Sequence, residues 1–90
     1  MKRYYVIVEG RVQGVGFRGF CTMTARELGL TGTVRNMSNG MVEIYVQGDP
    51  LKIDVFFDIL KQGDHFIRVD DMTIKEVKID PEEKIFTYIF

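Results

Sequence analysis

Gly14, Gly16 and Gly19 fall within the stretch EGRVQGVGFRGF (residues 9–20) as a literal G-x-G-x-x-G. Such glycines can hold a dinucleotide pyrophosphate, a nucleotide phosphate chain, a lone anion, or nothing at all. A dinucleotide fold needs a parallel sheet and an acidic residue about 20 positions beyond the glycines. Residues 37–42 contain no Asp or Glu, and a hairpin signal stands there instead. A Walker A loop needs Lys and then Ser or Thr after the glycines, to reach phosphate and Mg²⁺, and none follows. A cradle for one anion survives both rejections. Gly14 and Gly16, two apart, let the backbone take φ > 0 and turn successive N–H groups into one concavity. A helix starting near Arg18 adds unpaired N–H groups and its positive dipole end. Arg18 supplies a planar fork suited to two phosphate oxygens. Donors from Gln13, Gly14, Val15, Gly16, Phe17 and Arg18 would then surround a single phosphoryl group, each charge-assisted bond contributing about 1.5–3 kcal/mol. From the glycines alone, a plain strand-to-helix turn with an exposed arginine reads equally well.

Other reactive side chains are few. Cys21 is the sole cysteine and His65 the sole histidine, so neither an internal disulfide nor a usual structural zinc site can form. Asp64, Asp70 and Asp71 near His65 read as a solvated loop, and Cys21 as an apolar helix residue. Residues 1–45 carry six Lys or Arg against three acids, whereas the second half carries six against ten. That bias agrees with an anion-attracting first half. With a pI near 5.8 and no basic run it gives no nucleic-acid footprint. No apolar run approaches the ~20 residues of a bilayer span, and MKRYYVIVEG lacks the apolar core of a signal peptide. A cytoplasmic protein with no membrane or nucleic-acid partner, and a monomer, is expected. Ninety residues, 46% hydrophobic and 28% charged, imply one globular domain spanning 1–90.

The elements that must carry these residues follow from periodicity. YYVIVEGRV (4–12) is aromatic and β-branched and predicts a central strand. Phe17, Cys21, Thr24 and Leu28 mark one helix face, with Gly29 at its end. TGTVRNM (31–37) and MVEIYVQG (41–48) flank Asn39-Gly40, a strong hairpin signal. Asp49 and Pro50 start a second helix, and Ile53, Phe56, Phe57 and Leu60 form its apolar stripe up to Gly63. MTIKEVKI (72–79) and IFTYIF (85–90) predict the last strands, separated by DPEEK. The apolar phase slips between Ile74 and Val77, which predicts a bulge or edge irregularity there. The order β-α-β-β-α-β plus an extra C-terminal strand predicts an α+β, ferredoxin-like split βαβ sandwich. Its two helices should lie on one face of a mainly antiparallel four- to five-stranded sheet.

GRVQGVGFR (10–18) followed by LGLTGTVRN (28–36) resembles the acylphosphatase family across the whole chain, with Arg18 and Asn36 eighteen residues apart as in that family. The resemblance implies hydrolysis of the mixed anhydride of a carboxylic acid and phosphate, a ferredoxin-like fold, no cofactor and no metal. It also implies a catalytic arginine, here Arg18, and a catalytic asparagine, here Asn36. Thr33 stands where the family commonly has Trp, Gly19 where a larger residue is usual, and Met37 where a small polar one is common; none of these removes a catalytic group.

The implied chemistry asks little of the protein. The leaving carboxylate has a conjugate acid of pKa near ~4 and departs unprotonated, so no general acid is required. What remains is to hold the phosphoryl oxygens and aim a water in line with the breaking P–O bond. The amide of Asn36 can accept from water and donate as well, although Asn is also frequent at strand ends and turns. The alternative is a non-catalytic ferredoxin-like module that binds a phosphorylated metabolite or RNA. RNA binding would ask for exposed aromatic platforms on the sheet with basic neighbours, and the strands show no K/R-G-F-like signature.

Overall fold

In the computed structural model, which describes residues 1–90, the chain runs β1 (Lys2–Arg11), α1 (Phe17–Glu27), β2 (Thr31–Asn36), β3 (Val42–Gly48), α2 (Pro50–Gln62), β4 (Arg68–Val77) and β5 (Phe86–Ile89). The strands form one sheet in the order β4-β1-β3-β2-β5. All pairings are antiparallel except β2 with β5. This is the ferredoxin-like split βαβ arrangement with one strand added beside β2.

Period-two alternation decides which side chains meet the helices. Val6 and Val8 of β1, Val34 of β2, Val42, Ile44 and Val46 of β3, and Phe86 of β5 are all buried. They pack against Phe17, Cys21 and Ala25 of α1 and Ile53, Phe56 and Leu60 of α2 in one core cluster. The helices also touch each other, so both cover the same face.

Helix ends follow the local sequence. Asp49 caps α2, its carboxylate accepting from the Leu51 N–H at 2.9 Å, with Pro50 in the first turn. α1 ends in a Schellman motif: Leu30 N–H donates to Ala25 O at 2.9 Å and Gly29 N–H to Arg26 O at 3.1 Å. The start of α1 differs, because no side chain caps it.

The opposite sheet face is crossed by the segment 78–85, since β4 and β5 lie on opposite edges. Gln47 exchanges two bonds with the Asp80 backbone at 2.9 and 2.7 Å. Glu83 accepts from Arg3 at 3.0 Å and from Thr31 at 2.7 Å. Gly32 N–H donates to Ile85 O at 3.0 Å. This strap delivers β5 to its place beside β2.

The expected irregularity between Ile74 and Val77 is not there. Pairing with β1 is regular from Val77 to Asp71, and the register shifts only at Glu9/Gly10, where Asp70 is the extra residue. β4 also starts at Arg68 rather than 72. Val77 pairs with Arg3 and Ile74 with Val6, so the two point to opposite faces. Val77 is half-buried on the face that carries Arg3, whereas Ile74, on the α2 face, is exposed.

Candidate active site

β1 ends at Arg11 and α1 begins at Phe17, leaving five residues to reverse the chain. Gly14 has φ 74° and Gly16 φ 81°, a left-handed conformation that L side chains adopt at a cost. A Cβ at Gly14, Gly16 or Gly19 would meet nothing within 4 Å. Conformation, not crowding, therefore requires glycine at positions 14 and 16. None of the N–H groups from Gly14 to Gly19 donates to a backbone carbonyl; the first helical bond is Phe20 N–H to Gly16 O at 3.0 Å. Phe17 is fully buried beneath the loop and fixes the start of the helix above it.

The loop borders a cleft of about 240 Å³ that Gly14, Gly16, Arg18, Gly19 and Asn36 share. Arg18 and Asn36 thus come together from different elements. Asn36 is the last residue of β2, paired with Val42, and its Oδ1 is buried without a hydrogen-bond partner. Arg18 Nη1 donates to Ile89 O at 3.1 Å. Its guanidinium carbon lies 5.6 Å from the ring centres of both Tyr88 and Phe90. It enters no ion pair, whereas Arg3, Arg35 and Arg68 each have a carboxylate partner. One edge of the fork is held by β5 and the remaining donors are free for an anion.

Gln13 and Val15 do not line this cleft. Val15 packs against the core. The Gln13 carboxamide turns away, its Nε2 donating to Met37 O and to Met41 O, both at 2.8 Å. No side-chain carboxylate, imidazole or thiol lines the cleft. Cys21 lies in the core, where burial pushes its thiol well above the usual range, and a neutral buried thiol is inert.

Next to Asn36, on the other sheet face, Arg35 grips Glu43 through Nε at 3.1 Å and Nη2 at 3.0 Å, and Tyr5 adds its hydroxyl at 3.2 Å. The Arg35 hydrogen bonds, and then the Tyr5 hydroxyl, hold the Glu43 carboxyl below its ordinary range against the opposing effect of burial. Burial first, and then Glu43 itself, raises Tyr5.

The family model described as Acylphosphatase matches residues 4–88. The chain is 43% identical over 90 residues to an acylphosphatase of Geobacillus thermodenitrificans (strain NG80-2), covering 100% of this chain and 96% of that one. It is 45% identical over 87 residues to one of Clostridium beijerinckii (strain ATCC 51743 / NCIMB 8052), covering 97% of each. The crystal structure of acylphosphatase from Bacillus subtilis superposes over the full length of both chains with a TM-score of 0.94 at 37% identity.

The chain belongs to the acylphosphatase family.

With the acylphosphatase family comes enzyme activity, the hydrolysis of acyl phosphates, and a small-molecule acyl phosphate as substrate. The non-catalytic alternative loses its ground. What the sequence did not disclose is the aromatic wall of the cleft. Tyr88 and Phe90 lie some 70 residues from Arg18 and reach it only because β5 pairs in parallel with β2. The alternation Phe86, Tyr88, Phe90 was the available signal, since it puts all three on the helix-covered face.

Proposed function

We propose that the loop from Gly14 to Arg18 binds phosphate, that the Arg18 guanidinium completes it, and that Asn36 orients the attacking water in a metal-independent hydrolysis. The observation that carries this reading is the shared cleft: Gly14, Gly16 and Gly19, whose amides have no backbone partner, line one space together with Arg18, which enters no ion pair, and with Asn36. The amides and Arg18 bind the non-bridging phosphoryl oxygens and meet the charge that accumulates on them in the transition state. The Asn36 carboxamide holds a water by hydrogen bonding and turns the water's lone pair toward phosphorus, opposite the leaving carboxylate. As the P–O bond breaks, its electron pair leaves with the carboxylate. The water's proton passes to a phosphoryl oxygen, so inorganic phosphate forms without a phosphoenzyme. Because the cleft offers no side-chain carboxylate, imidazole or thiol, the work falls to fixed dipoles and one guanidinium.

Phosphate release from benzoyl phosphate tests the assignment. Arg18→Ala is expected to lower kcat/KM by about 10³-fold, and Arg18→Lys to recover little, because a point charge cannot replace the fork. Asn36→Ala is expected to lower kcat by about 10²-fold or more with little change in KM. EDTA should leave the rate unchanged. Wild-type kinetics in either alanine variant overturns the role given to that residue. We also infer a cytoplasmic monomer that acts as one unit and binds no nucleic acid, in keeping with its acidic pI; sedimentation of the purified chain reads the oligomeric part directly.

A further inference from the structure

We infer that Gln13 is a positioning residue: its side chain sets Asn36 in register with the phosphate loop. The inference rests on the role proposed above for Asn36.

The need for such a link comes from the topology. β1 leads into the loop and β2 ends in Asn36, but the two are not neighbours, because β3 lies between them. No ladder bond can therefore run from the loop to the Asn36 end of β2. The hydrogen bonds that do join residues 12–16 to residues 36–41 are the two from Gln13 Nε2, each 2.8 Å, to Met37 O and Met41 O.

Their placement is specific. Met37 directly follows Asn36, and Met41 closes the same turn by accepting from the Met37 N–H at 2.8 Å. One carboxamide thus spans the base of the hairpin on which Asn36 sits. Two carbonyl acceptors at one nitrogen also fix the orientation of the amide, since only the NH₂ end can face both. Asn36 has no hydrogen bond of its own at Oδ1, so its aim depends on the backbone that carries it. A catalytic group displaced by about 1 Å can lose on the order of 10²-fold in rate. Supporting hydrogen bonds of this kind are how a reacting side chain is held.

The test is a double-mutant cycle on benzoyl phosphate hydrolysis, with inorganic phosphate as competitive inhibitor. Gln13→Met keeps length and removes both bonds. It is expected to lower kcat about 10-fold, with the phosphate inhibition constant changed less than about twofold. Gln13→Glu sets a carboxylate against two carbonyl oxygens and should be worse. In the Asn36→Ala background Gln13→Met should lower kcat no further, because the group it positions is gone. Equal fractional losses in both backgrounds, or a phosphate inhibition constant that rises as far as kcat/KM falls, would mean that Gln13 serves the cradle, and the inference fails. Wild-type kcat in Asn36→Ala alone would sink the reading of Asn36 instead, and is told apart by that single variant. If Gln13→Met does not fold, Gln13→Asn, one methylene shorter, loses reach to the carbonyls and is read in the same cycle.

Discussion

At the scale of single residues, the loop is built from conformations that only glycine takes freely. Gly16 at φ 81° has open space where a Cβ would stand, so Gly16→Ala meets backbone strain of about 1–2 kcal/mol and no clash. Relief of that strain would rotate the N–H groups away from the concavity. We therefore expect kcat/KM for benzoyl phosphate to fall by about 10²-fold, while the melting temperature drops only by roughly 4–12 °C. A variant that loses stability without losing activity would contradict the cradle. Much of this was legible in the sequence, because the turn residues Gly14 and Gly16 and the helix-start Arg18 act locally. The side chain of Gln13 was not. Sequence reasoning offers only its backbone N–H as a phosphate donor, and nothing near it in sequence points to acceptors 24 and 28 residues away.

At the scale of elements, the cleft depends on the strap that brings β5 to β2. Arg3 and Glu83 are both only 11% exposed as side chains, and Thr31 completes the carboxylate's bonds. Glu83→Gln leaves Arg3 enclosed without its counter-charge, and we expect a loss of about 2–4 kcal/mol in urea unfolding. Because β5 carries Ile89 O and Tyr88 to Arg18, KM should rise as well. An unchanged urea midpoint would show that the strap is held elsewhere. The helices and the β2–β3 hairpin followed from caps, stripes and Asn39-Gly40. The β4 boundary did not follow, for two physical reasons. Asp70 and Asp71 look like loop residues although one is the bulge and the other pairs with Glu9. Val77 breaks the expected alternation because the strap gives the sheet's second face cover of its own.

For the whole molecule, pH should act on stability more than on catalysis. Glu43 has its folded pKa depressed by the Arg35 hydrogen bonds. Its contribution is present above the ordinary carboxylate value of about 4.3 and is lost as pH falls through the lower folded value. Cys21 has its folded pKa raised by burial. Its contribution is complete below about 8.5 and is lost as pH rises through the higher folded value. A stability plateau between those limits is expected, with its acid limb flattened in Glu43→Gln; an unaltered acid limb in that variant would contradict the assignment. Within the plateau kcat should vary little, since no imidazole or side-chain carboxylate lines the cleft. A bell-shaped profile centred near neutrality would demand an acid–base pair the cleft does not hold.

A crystal structure of the chain with inorganic phosphate tests the central claim most directly. The ion is expected within the loop, its oxygens about 2.7–3.1 Å from N–H groups between Gly14 and Gly19 and from the Arg18 guanidinium, with the Asn36 amide facing the phosphorus across a water. Phosphate bound elsewhere, or bound there with Asn36 turned away, would contradict it.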